Sequence, residues 1–523
     1  MDRRSGAVRG AVAAAGLALG LLAGPAGAQA QGEIITQQYE DGGIYEGTFL
    51  EGRPHGTGTY RLPNGYEYTG EWAEGEIRGQ GVARFPDGSV YEGAFAAGKP
   101  EGRGTMTFSN GGVYTGSWSD GVIDGSGTFS YATGEVYTGG FLGGQQHGEG
   151  RLEGREGYVY EGGWSNGVKE GTATITYPDG STYEGGMRAG LRHGEGRLTL
   201  TDGMVYDGDW LDGQIEGEGR LVQPNGDVYT GDFVQGRREG RGRVVYEGGD
   251  VYEGDFLADQ RHGQGTFSTE SDGYTYTGEW REGAITGEGV LTYPDGTVHT
   301  GSFVGGAAEG FGRIEYADGN VYEGEWQAGL FHGEGRAEYA NGQVYVGRFV
   351  EGQRDGAGTM TFPSGVRYEG EWQDGLRTGT GTETRPDGSS YAGEWEEGQR
   401  HGAGIETFAD GGTYEGEFTN GLRNGTGTLE LPGVFTYTGD WTEGEMTGEG
   451  VATYANGDVY EGSFENGRRE GAGTMRYADG AVATGTWEDG RLAALADGTS
   501  PDAEVSPSAP ATSSQDGSGP TAE

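Results

Sequence analysis

The chain has 523 residues, of which 116 are glycine and only 33% are apolar. A conventional core of that size would need more aliphatic side chains, whereas 31 Tyr, 18 Phe and 10 Trp argue against a disordered chain. The net charge of −47 opposes binding to nucleic acid, which requires clustered Lys and Arg, and the absence of Cys excludes disulfides and thiolate metal sites. These properties favour a regular, turn-rich repeat protein.

The first 30 residues have the three parts of a secretory signal peptide. Arg3, Arg4 and Arg9 precede an apolar run over residues 11–23, and small residues follow, ending at Ala30. The run of 13 residues is shorter than the roughly 20 that a membrane-spanning helix requires, so we prefer a cleaved signal to the alternative of a membrane anchor. We expect cleavage near Ala30, a secreted protein that is periplasmic if the cell is Gram-negative, and a short linker at residues 31–38.

A 23-residue repeat follows the linker. Its first copy has Tyr-Glu-Gly-Thr-Phe at residues 45–49, then Gly52, then His-Gly-Thr-Gly at residues 55–58 and Pro-Asn-Gly at residues 63–65. One extra residue near residues 271–274 interrupts the spacing. There are 20 starts, eighteen of them Tyr, at positions 45, 68, 91, 114, 137, 160, 183, 206, 229, 252, 276, 299, 322, 345, 368, 391, 414, 437, 460 and 483.

Each repeat is predicted to form an amphipathic β-hairpin. With a period of two, Tyr45, Gly47 and Phe49 point to one side of a short strand. Four alternate residues of the second strand are expected to share that face: Gly56, Gly58, Tyr60 and Leu62. Glycine on this face leaves room for neighbouring rings to lie over the backbone. Asn-Gly and Asp-Gly pairs such as residues 64–65 predict tight turns with positive φ between repeats.

A single hairpin buries too little surface to be stable, so the hairpins must stack edge to edge. The sequence therefore predicts an all-β fold: an elongated, single-layer antiparallel sheet of about 20 stacked hairpins, which is an open, solenoid-like rod over residues 39–492. Residues 493–523 are rich in Ser, Pro, Ala and acidic residues, which is typical of a disordered tail.

The pattern Tyr-x-Gly-x-Phe/Trp followed by Gly-x-x-x-Gly-x-Gly resembles the MORN (membrane occupation and recognition nexus) repeat. His299 and Ala483 replace the leading Tyr, and Met187 replaces the Phe or Trp at the fifth position. The resemblance implies protein–protein interaction, often with self-association, and a proposed role at membranes. Some MORN arrays are attached to catalytic domains, but no residues remain here to form one.

No candidate site residue emerges from the polar residues. Six of the seven His occupy one repeat position, where other repeats have residues as different as Arg78, Glu101 and Thr286, so a catalytic base is not indicated. The Gly-x-Gly pairs lie within predicted strands with no helix after them to hold a phosphate. We therefore assign no catalytic, cofactor-binding or metal-ligating residue and no cofactor.

The function that these features indicate is a non-enzymatic envelope scaffold or protein-interaction surface, with partners that the sequence does not identify and with self-association left open. One alternative is a glycan or cell-wall binder that uses an exposed aromatic face, because all ten Trp occupy the fifth repeat position. The other is a lipid contact at a membrane. Without residues 1–30 the chain has 32 basic and 81 acidic residues, a net charge of −49, and this charge opposes binding to anionic lipids and to nucleic acid.

Small-angle scattering of residues 31–523 tests the predicted rod. Twenty hairpins with about 4.8 Å between strands extend roughly 190 Å, which gives a radius of gyration of about 55 Å. A compact protein of the same length would have a radius of gyration of about 23 Å. A monomer with a value below about 30 Å would contradict the open stack of hairpins.

Overall fold

The computed structural model describes residues 32–497. The predicted signal peptide at residues 1–30 lies outside this range, as do residues 498–523 of the predicted tail. The described chain divides into an N-terminal unit that ends at Ser271 and a C-terminal unit that begins at Asp272. The division falls in the stretch that carries the one extra residue. Within residues 32–497, no helix is both long enough and apolar enough to cross a membrane.

The N-terminal unit is an antiparallel sheet in which each strand pairs with the strand before and after it, and one 3-10 turn at Arg155–Gly157 separates β11 from β12. Its strands are β1 Ile35–Gln38, β2 Ile44–Leu50, β3 Arg53–Arg61, β4 Glu67–Ala73, β5 Glu76–Arg84, β6 Val90–Ala96, β7 Lys99–Thr107, β8 Val113–Ser119, β9 Val122–Ser130, β10 Val136–Leu142, β11 Gln145–Glu153, β12 Val159–Ser165, β13 Val168–Thr176, β14 Thr182–Arg188, β15 Leu191–Thr199, β16 Val205–Leu211, β17 Gln214–Val222, β18 Val228–Val234, β19 Arg237–Val245, β20 Val251–Leu257 and β21 Gln260–Ser268.

The C-terminal unit repeats the same antiparallel pairing from β22 to β41. Its strands are β22 Thr275–Arg281, β23 Ala284–Thr292, β24 Val298–Val304, β25 Ala307–Glu315, β26 Val321–Gln327, β27 Leu330–Glu338, β28 Val344–Val350, β29 Gln353–Thr361, β30 Arg367–Gln373, β31 Leu376–Thr384, β32 Ser390–Glu396, β33 Gln399–Thr407, β34 Thr413–Thr419, β35 Leu422–Leu431, β36 Phe435–Thr442, β37 Glu445–Tyr454, β38 Val459–Glu465, β39 Arg468–Arg476, β40 Val482–Glu488 and β41 Arg491–Leu495.

The all-β fold of tandem antiparallel hairpins is confirmed, with β2 to β41 forming the hairpins of the 20 repeats. Two strands extend beyond the predicted bounds of the array. β1 lies within residues 31–38, where we expected a linker, because it pairs with β2 and covers the edge of that strand. β41 continues to Leu495 through its pairing with β40.

The leading tyrosine of each repeat is the centre of its packing. We number repeat positions from this tyrosine as position 1. The Tyr45 ring lies over Gly47 in its own strand and over Gly58 in the paired strand, so that a Cβ at Gly58 would come within 2.3 Å of the phenol oxygen. The hydroxyl donates a hydrogen bond to the Thr48 carbonyl at 3.0 Å. Burial raises the pKa of Tyr45 to about 12, so the phenol remains a neutral donor at physiological pH.

The same hydrogen bond, from position 1 to the carbonyl of position 4, recurs in all eighteen repeats that begin with Tyr. Most of these tyrosines also contact two position-5 rings edge to face. Tyr45 meets Phe49 of its own repeat at 5.1 Å and 87°, and Trp72 of the next repeat at 4.9 Å and 74°. Edge-to-face pairs contribute about 0.5–1.5 kcal/mol beyond the area that they bury. The rings therefore connect each hairpin to the next.

The prediction that Gly56 shares the inner face with Gly58 and Tyr60 is wrong. A bulge between Gly47 and Phe49 interrupts the register, and it places Gly56 on the exposed side with φ of +81°. Pro54 takes the buried place opposite Phe49. A strict period of two cannot detect such a bulge because the extra residues shift the alternation.

Carboxylates at position 4 of several repeats stabilise this bulge. Glu71 accepts a hydrogen bond from the backbone N–H of Gln80 at position 13, and Asp440 accepts the equivalent bond from Glu449. A Cβ at position 12 would clash with such a carboxylate, as at Gly79, where it would come within 1.9 Å of the Glu71 side chain. Glycine at position 12 is therefore required by the bulge and by its carboxylate, not by the aromatic face.

The two kinds of loop differ from each other. Between repeats, the predicted Asn-Gly and Asp-Gly turns have positive φ at the glycine, as at Gly65, and the Asn64 side chain accepts a hydrogen bond from the Tyr66 N–H. Within each hairpin, a two-residue loop has positive φ at both residues, as at Glu51 and Gly52. This is the type I′ geometry that suits the twist of paired strands. The sequence did not predict it, because residues as ordinary as Glu occupy its first place.

A pair of Gly→Ala substitutions tests the role of the tyrosine and glycine contact. Gly242 lies under the Tyr229 ring, where an added Cβ would come within 2.4 Å of a ring carbon, whereas a Cβ at Gly248 would meet nothing within 4 Å. Neither residue has positive φ. We expect G242A to cost about 1–3 kcal/mol through overpacking and G248A to change stability by less than about 0.5 kcal/mol. Hydrogen exchange of the β18–β19 amides, with melting curves, measures both, and equal effects would contradict the proposed packing.

Candidate interaction surface

The ten tryptophans lie inside the aromatic face, which is the side of each sheet that carries positions 1, 5, 10, 16 and 18. All ten are between 2% and 7% exposed. Eight of them donate the indole N–H to a glycine carbonyl of the preceding repeat, at 3.0–3.4 Å: Trp72, Trp118, Trp164, Trp210, Trp372, Trp395, Trp441 and Trp487. These rings are packed against their neighbours and do not present their faces to solvent.

The outer layer of the aromatic face comes from position 10, which varies from repeat to repeat. The side chain there covers the tyrosine of its own repeat and the position-5 ring of the next. It is Pro54 in the first repeat and Ile77 in the second, but it is basic in many later ones. Arg354, for example, places its guanidinium 4.6 Å from the Trp372 ring and donates to the Gly375 carbonyl at 2.8 Å.

Four consecutive repeats of the C-terminal unit have arginine at position 10. We call this set the arginine row: Arg354, Arg377, Arg400 and Arg423. Two carboxylates accompany the row at position 16, where other repeats have an apolar or aromatic residue. Glu383 pairs with Arg377 at 2.8 Å, and Glu406 lies 2.8 Å from both Arg400 and Arg423.

The two carboxylates are enclosed by these arginines, and each side chain is only 13% exposed. Burial opposes the ionisation of Glu406, but Arg423 and Arg400 more than offset it, so the pKa of Glu406 lies below its ordinary value. Arg385 at position 18 adds a further contact of 2.7 Å to Glu383. The result is a charged strip on the aromatic face of the C-terminal unit.

A cavity of about 390 Å³ adjoins the first member of the arginine row. Tyr316, Tyr322, Phe331 and Arg354 contribute to its wall. Ala337 also contributes to the wall, and it is smaller than the side chain that most repeats have at position 16. The cavity and the arginine row share Arg354 and are therefore adjacent on the aromatic face of the C-terminal unit.

The six histidines that share a repeat position lie at position 11, next to the hairpin loops. In several other repeats this position holds an acidic residue that accepts a hydrogen bond from the backbone N–H of position 7 in the next repeat, as Glu101 does from Asp120. The Nδ1 atoms of His55, His147 and His193 are buried without a hydrogen-bond partner. Among residues 32–497, no group of three or more His, Asp or Glu side chains is arranged to hold a metal ion.

Comparison with known families gives the identity of the repeat. The MORN repeat model matches nineteen segments: residues 45–65, 68–90, 91–113, 114–136, 137–157, 160–182, 183–205, 206–228, 229–251, 252–273, 276–298, 299–321, 322–344, 345–367, 368–390, 391–413, 414–433, 437–459 and 460–482. The chain belongs to the MORN repeat family. The hairpin of β40 and β41 follows the last matched MORN repeat, and Ala483 occupies its position 1. A search of curated proteins found no match.

Among solved structures, the MORN array is similar to the TCP domain of SAS-4 (dCPAP) of Drosophila melanogaster, solved with a proline-rich motif of Ana2. The identity is 14% and the TM-score 0.21, over 34% of this chain and 90% of that chain. It is also similar to the TCP10 domain of Danio rerio CPAP, solved with a peptide of STIL, at 14% identity and a TM-score of 0.13, over 60% and 97% of the two chains. A streptogramin B lyase matches at 12% identity and a TM-score of 0.10, over 55% and 88%.

His299 interrupts the series of packed position-1 tyrosines and position-5 rings that runs along the MORN repeats. Its imidazole is 3% exposed and stacks on Trp326 at 4.4 Å and 26°, whereas Tyr45 meets the equivalent Trp72 at 74°. The His299 Nε2 and the Trp326 Nε1 are both buried without a hydrogen-bond partner. The glycines that would lie under a tyrosine ring are still present at positions 3 and 14, as Gly301 and Gly312.

Replacing His299 with the tyrosine that most MORN repeats have at position 1 should stabilise the hairpins around it. Burial lowers the pKa of His299 below its ordinary value of 6.5, so protonation favours the unfolded state. Stability is therefore complete above about pH 6.5 and falls as the pH drops toward the lowered pKa of the folded state. We expect H299Y to protect β24–β26 by about 1 kcal/mol at pH 7.5, through the restored hydrogen bond, and by more at pH 5. Hydrogen exchange at both pH values measures this, with H401Y as the control at position 11. Equal protection of H299Y and wild type at pH 5 would contradict it.

Proposed function

We propose that this protein is a non-enzymatic scaffold of the cell envelope that binds protein partners along its MORN array. Family membership supports a repeat-based interaction or scaffold role. The envelope location rests on the signal peptide predicted for residues 1–30. The absence of Cys is compatible with that location, since the array does not depend on disulfides.

The burial of the tryptophan series is the observation that supports this proposal. The residues that hold the hairpins together are the tyrosines, the glycines beneath them and the position-5 rings, and they are enclosed. The side chains that cover them, at positions 10, 16 and 18, change from repeat to repeat. The packed residues are nearly constant, whereas the side chains that cover them vary. Different repeats can therefore present different surface patches to different proteins, as other repeat arrays do.

The same observation disfavours the glycan alternative. A sugar-binding ladder requires ring faces that are open to stack on the ligand, and the ten Trp are 2% to 7% exposed. Lipid contact is disfavoured by charge, because anionic headgroups attract basic segments and the mature chain carries −49. Position 4, on the side opposite the aromatic face, has exposed carboxylates in consecutive repeats, such as Glu371, Glu394 and Glu417.

Cross-linking of residues 31–523 to envelope extract tests the proposal. The immobilised array is incubated at about 0.15 M salt with EDTA, which removes divalent cations that could bridge two anionic surfaces. We expect retention of specific proteins, with cross-links that map to aromatic-face positions or hairpin loops. The control is a five-repeat segment of the same chain that carries similar charge density, which should retain only some of these proteins.

Two parallel assays use cell-wall fragments and anionic vesicles as the immobilised ligand. We expect no saturable binding to either in EDTA. If cell-wall glycan or lipid were the only material bound, and no protein were retained, the scaffold proposal would be wrong.

A further inference from the structure

The arginine row is a local excess of positive charge on a strongly acidic protein. With Arg385 it contains five guanidinium groups and two carboxylates, which leaves a net charge of +3 against −47 for the whole chain. Asp374 and Glu338 also contribute to the cavity wall, and Glu338 pairs with Arg336, so the net charge with these three residues included is +2. At about 0.15 M salt the screening length is about 8 Å, so a ligand at the row responds mainly to these local charges.

The arginines retain hydrogen-bonding capacity beyond their contacts within the sheet. A guanidinium has five N–H donors in a planar fork that suits carboxylates. Within the described residues, Arg400 donates through one nitrogen to Glu406, and Arg354 through one to the Gly375 carbonyl. Their planes are held over aromatic rings, such as Phe418 at 5.5 Å for Arg400, and this limits the rotamer entropy lost when a ligand binds.

The spacing of the row selects the conformation of its ligand. Equivalent positions in successive hairpins are two strand spacings apart, or about 9.6 Å. A β-strand presents side chains to one side about every 6.8 Å or 13.6 Å, and neither value matches. A polyproline II segment presents every third residue to one side at about 9.3 Å. Over four repeats the mismatch accumulates to only about 1 Å.

The structure also argues against two other occupants. The tryptophans are enclosed, so they offer no ring faces on which a charged glycan could stack. The tail of this chain has carboxylates at Asp502, Glu504, Asp516 and Glu523, which do not follow a three-residue spacing. The cavity beside Arg354, with Tyr322 and Phe331 in its wall, would accept an apolar side chain at one end of the segment.

We propose that the arginine row binds an acidic segment of a partner protein in the polyproline II conformation, with a carboxylate at every third residue and an apolar anchor in the cavity at Ala337. This inference rests on the proposed function as a protein-binding array, and it names the class of partner for one surface. Recognition of acidic motifs by arginine clusters is an established mode of peptide binding.

A labelled peptide tests the inference by fluorescence anisotropy with residues 31–523 at about 0.15 M salt. The probe is four repeats of Glu-Pro-Thr preceded by Leu, which places its carboxylates about 9.3 Å apart on one side. The matched probes replace Glu with Gln or scramble the order so that the Glu spacing is irregular. We expect saturable binding of the first probe and at least tenfold weaker binding of the other two.

Two variants of the protein move the affinity in opposite directions. R377Q/R400Q should weaken binding at least tenfold, while Arg385 and Arg423 still pair with the two glutamates. E383Q/E406Q should strengthen binding several-fold, because it releases guanidinium donors, and loss of folding cannot produce a gain. The control R151Q/R313Q removes the same charge from exposed arginines that pair with Glu153 and Glu315, and it should leave the affinity unchanged.

Several results would overturn the inference. Among these are no binding of the Glu-Pro-Thr probe, equal binding by R377Q/R400Q, or equal binding of the scrambled probe. Polygalacturonate that binds as tightly as the peptide would assign the row to polyanions in general. Tighter peptide binding after deletion of residues 498–523 would assign it to the tail of this chain. Retention of envelope proteins by R377Q/R400Q, with no peptide binding to wild type, would refute this inference and leave the scaffold function standing.

Discussion

The structure depends on one contact, a tyrosine ring that lies over two glycines. The ring of Tyr45 excludes a Cβ at both Gly47 and Gly58, and its hydroxyl is satisfied by a carbonyl of its own strand. Because the ring fills the space where two side chains would otherwise stand, a single layer of sheet can bury its aromatic residues without a second layer above it. The unusual glycine content follows from this contact, from the bulge glycine at position 12 and from the glycines of the two loops.

In this arrangement, the residues that hold the hairpins together are not the side chains that are available to bind a partner. The residues that hold the hairpins together occupy positions 1, 3, 5 and 14, and they recur almost unchanged along the chain. The covering positions contribute to packing too, as Ile77 and Met446 do when buried, yet they accept residues as different as Pro54, Phe331 and Arg377. Selection for a partner can therefore change the surface of one repeat with little effect on its neighbours, since each hairpin depends mainly on the two beside it.

The sequence predicted the hairpins, the residues on the inner face of the first strand, and the glycines that leave room for aromatic rings over the backbone. These features depend on a spacing that recurs 20 times. It failed at Gly56, where the bulge breaks the alternation, and at the Glu51-Gly52 loop, where Glu adopts the positive φ that usually favours Asn, Asp or Gly. The arginine row was also missed. Arg377 and Glu383 are six residues apart and look like ordinary surface charges until the register places both on the aromatic face.

A residue that departs from the repeat is most informative at a position where the packing of the repeat tolerates few substitutions. A histidine at position 11 is compatible with the frame, because that position borders a loop and accepts Glu, Asp or Arg elsewhere. His299 is not compatible in the same way, since it leaves two buried polar atoms unpaired and its imidazole stacks on Trp326 at 26°, where a tyrosine would meet the ring edge to face. Glu383 and Glu406 are a third case, because each replaces an interior apolar residue and is paired with adjacent arginines. An isolated exchange to Glu at position 16 would bury an unpaired charge, so each of these glutamates depends on the arginines beside it.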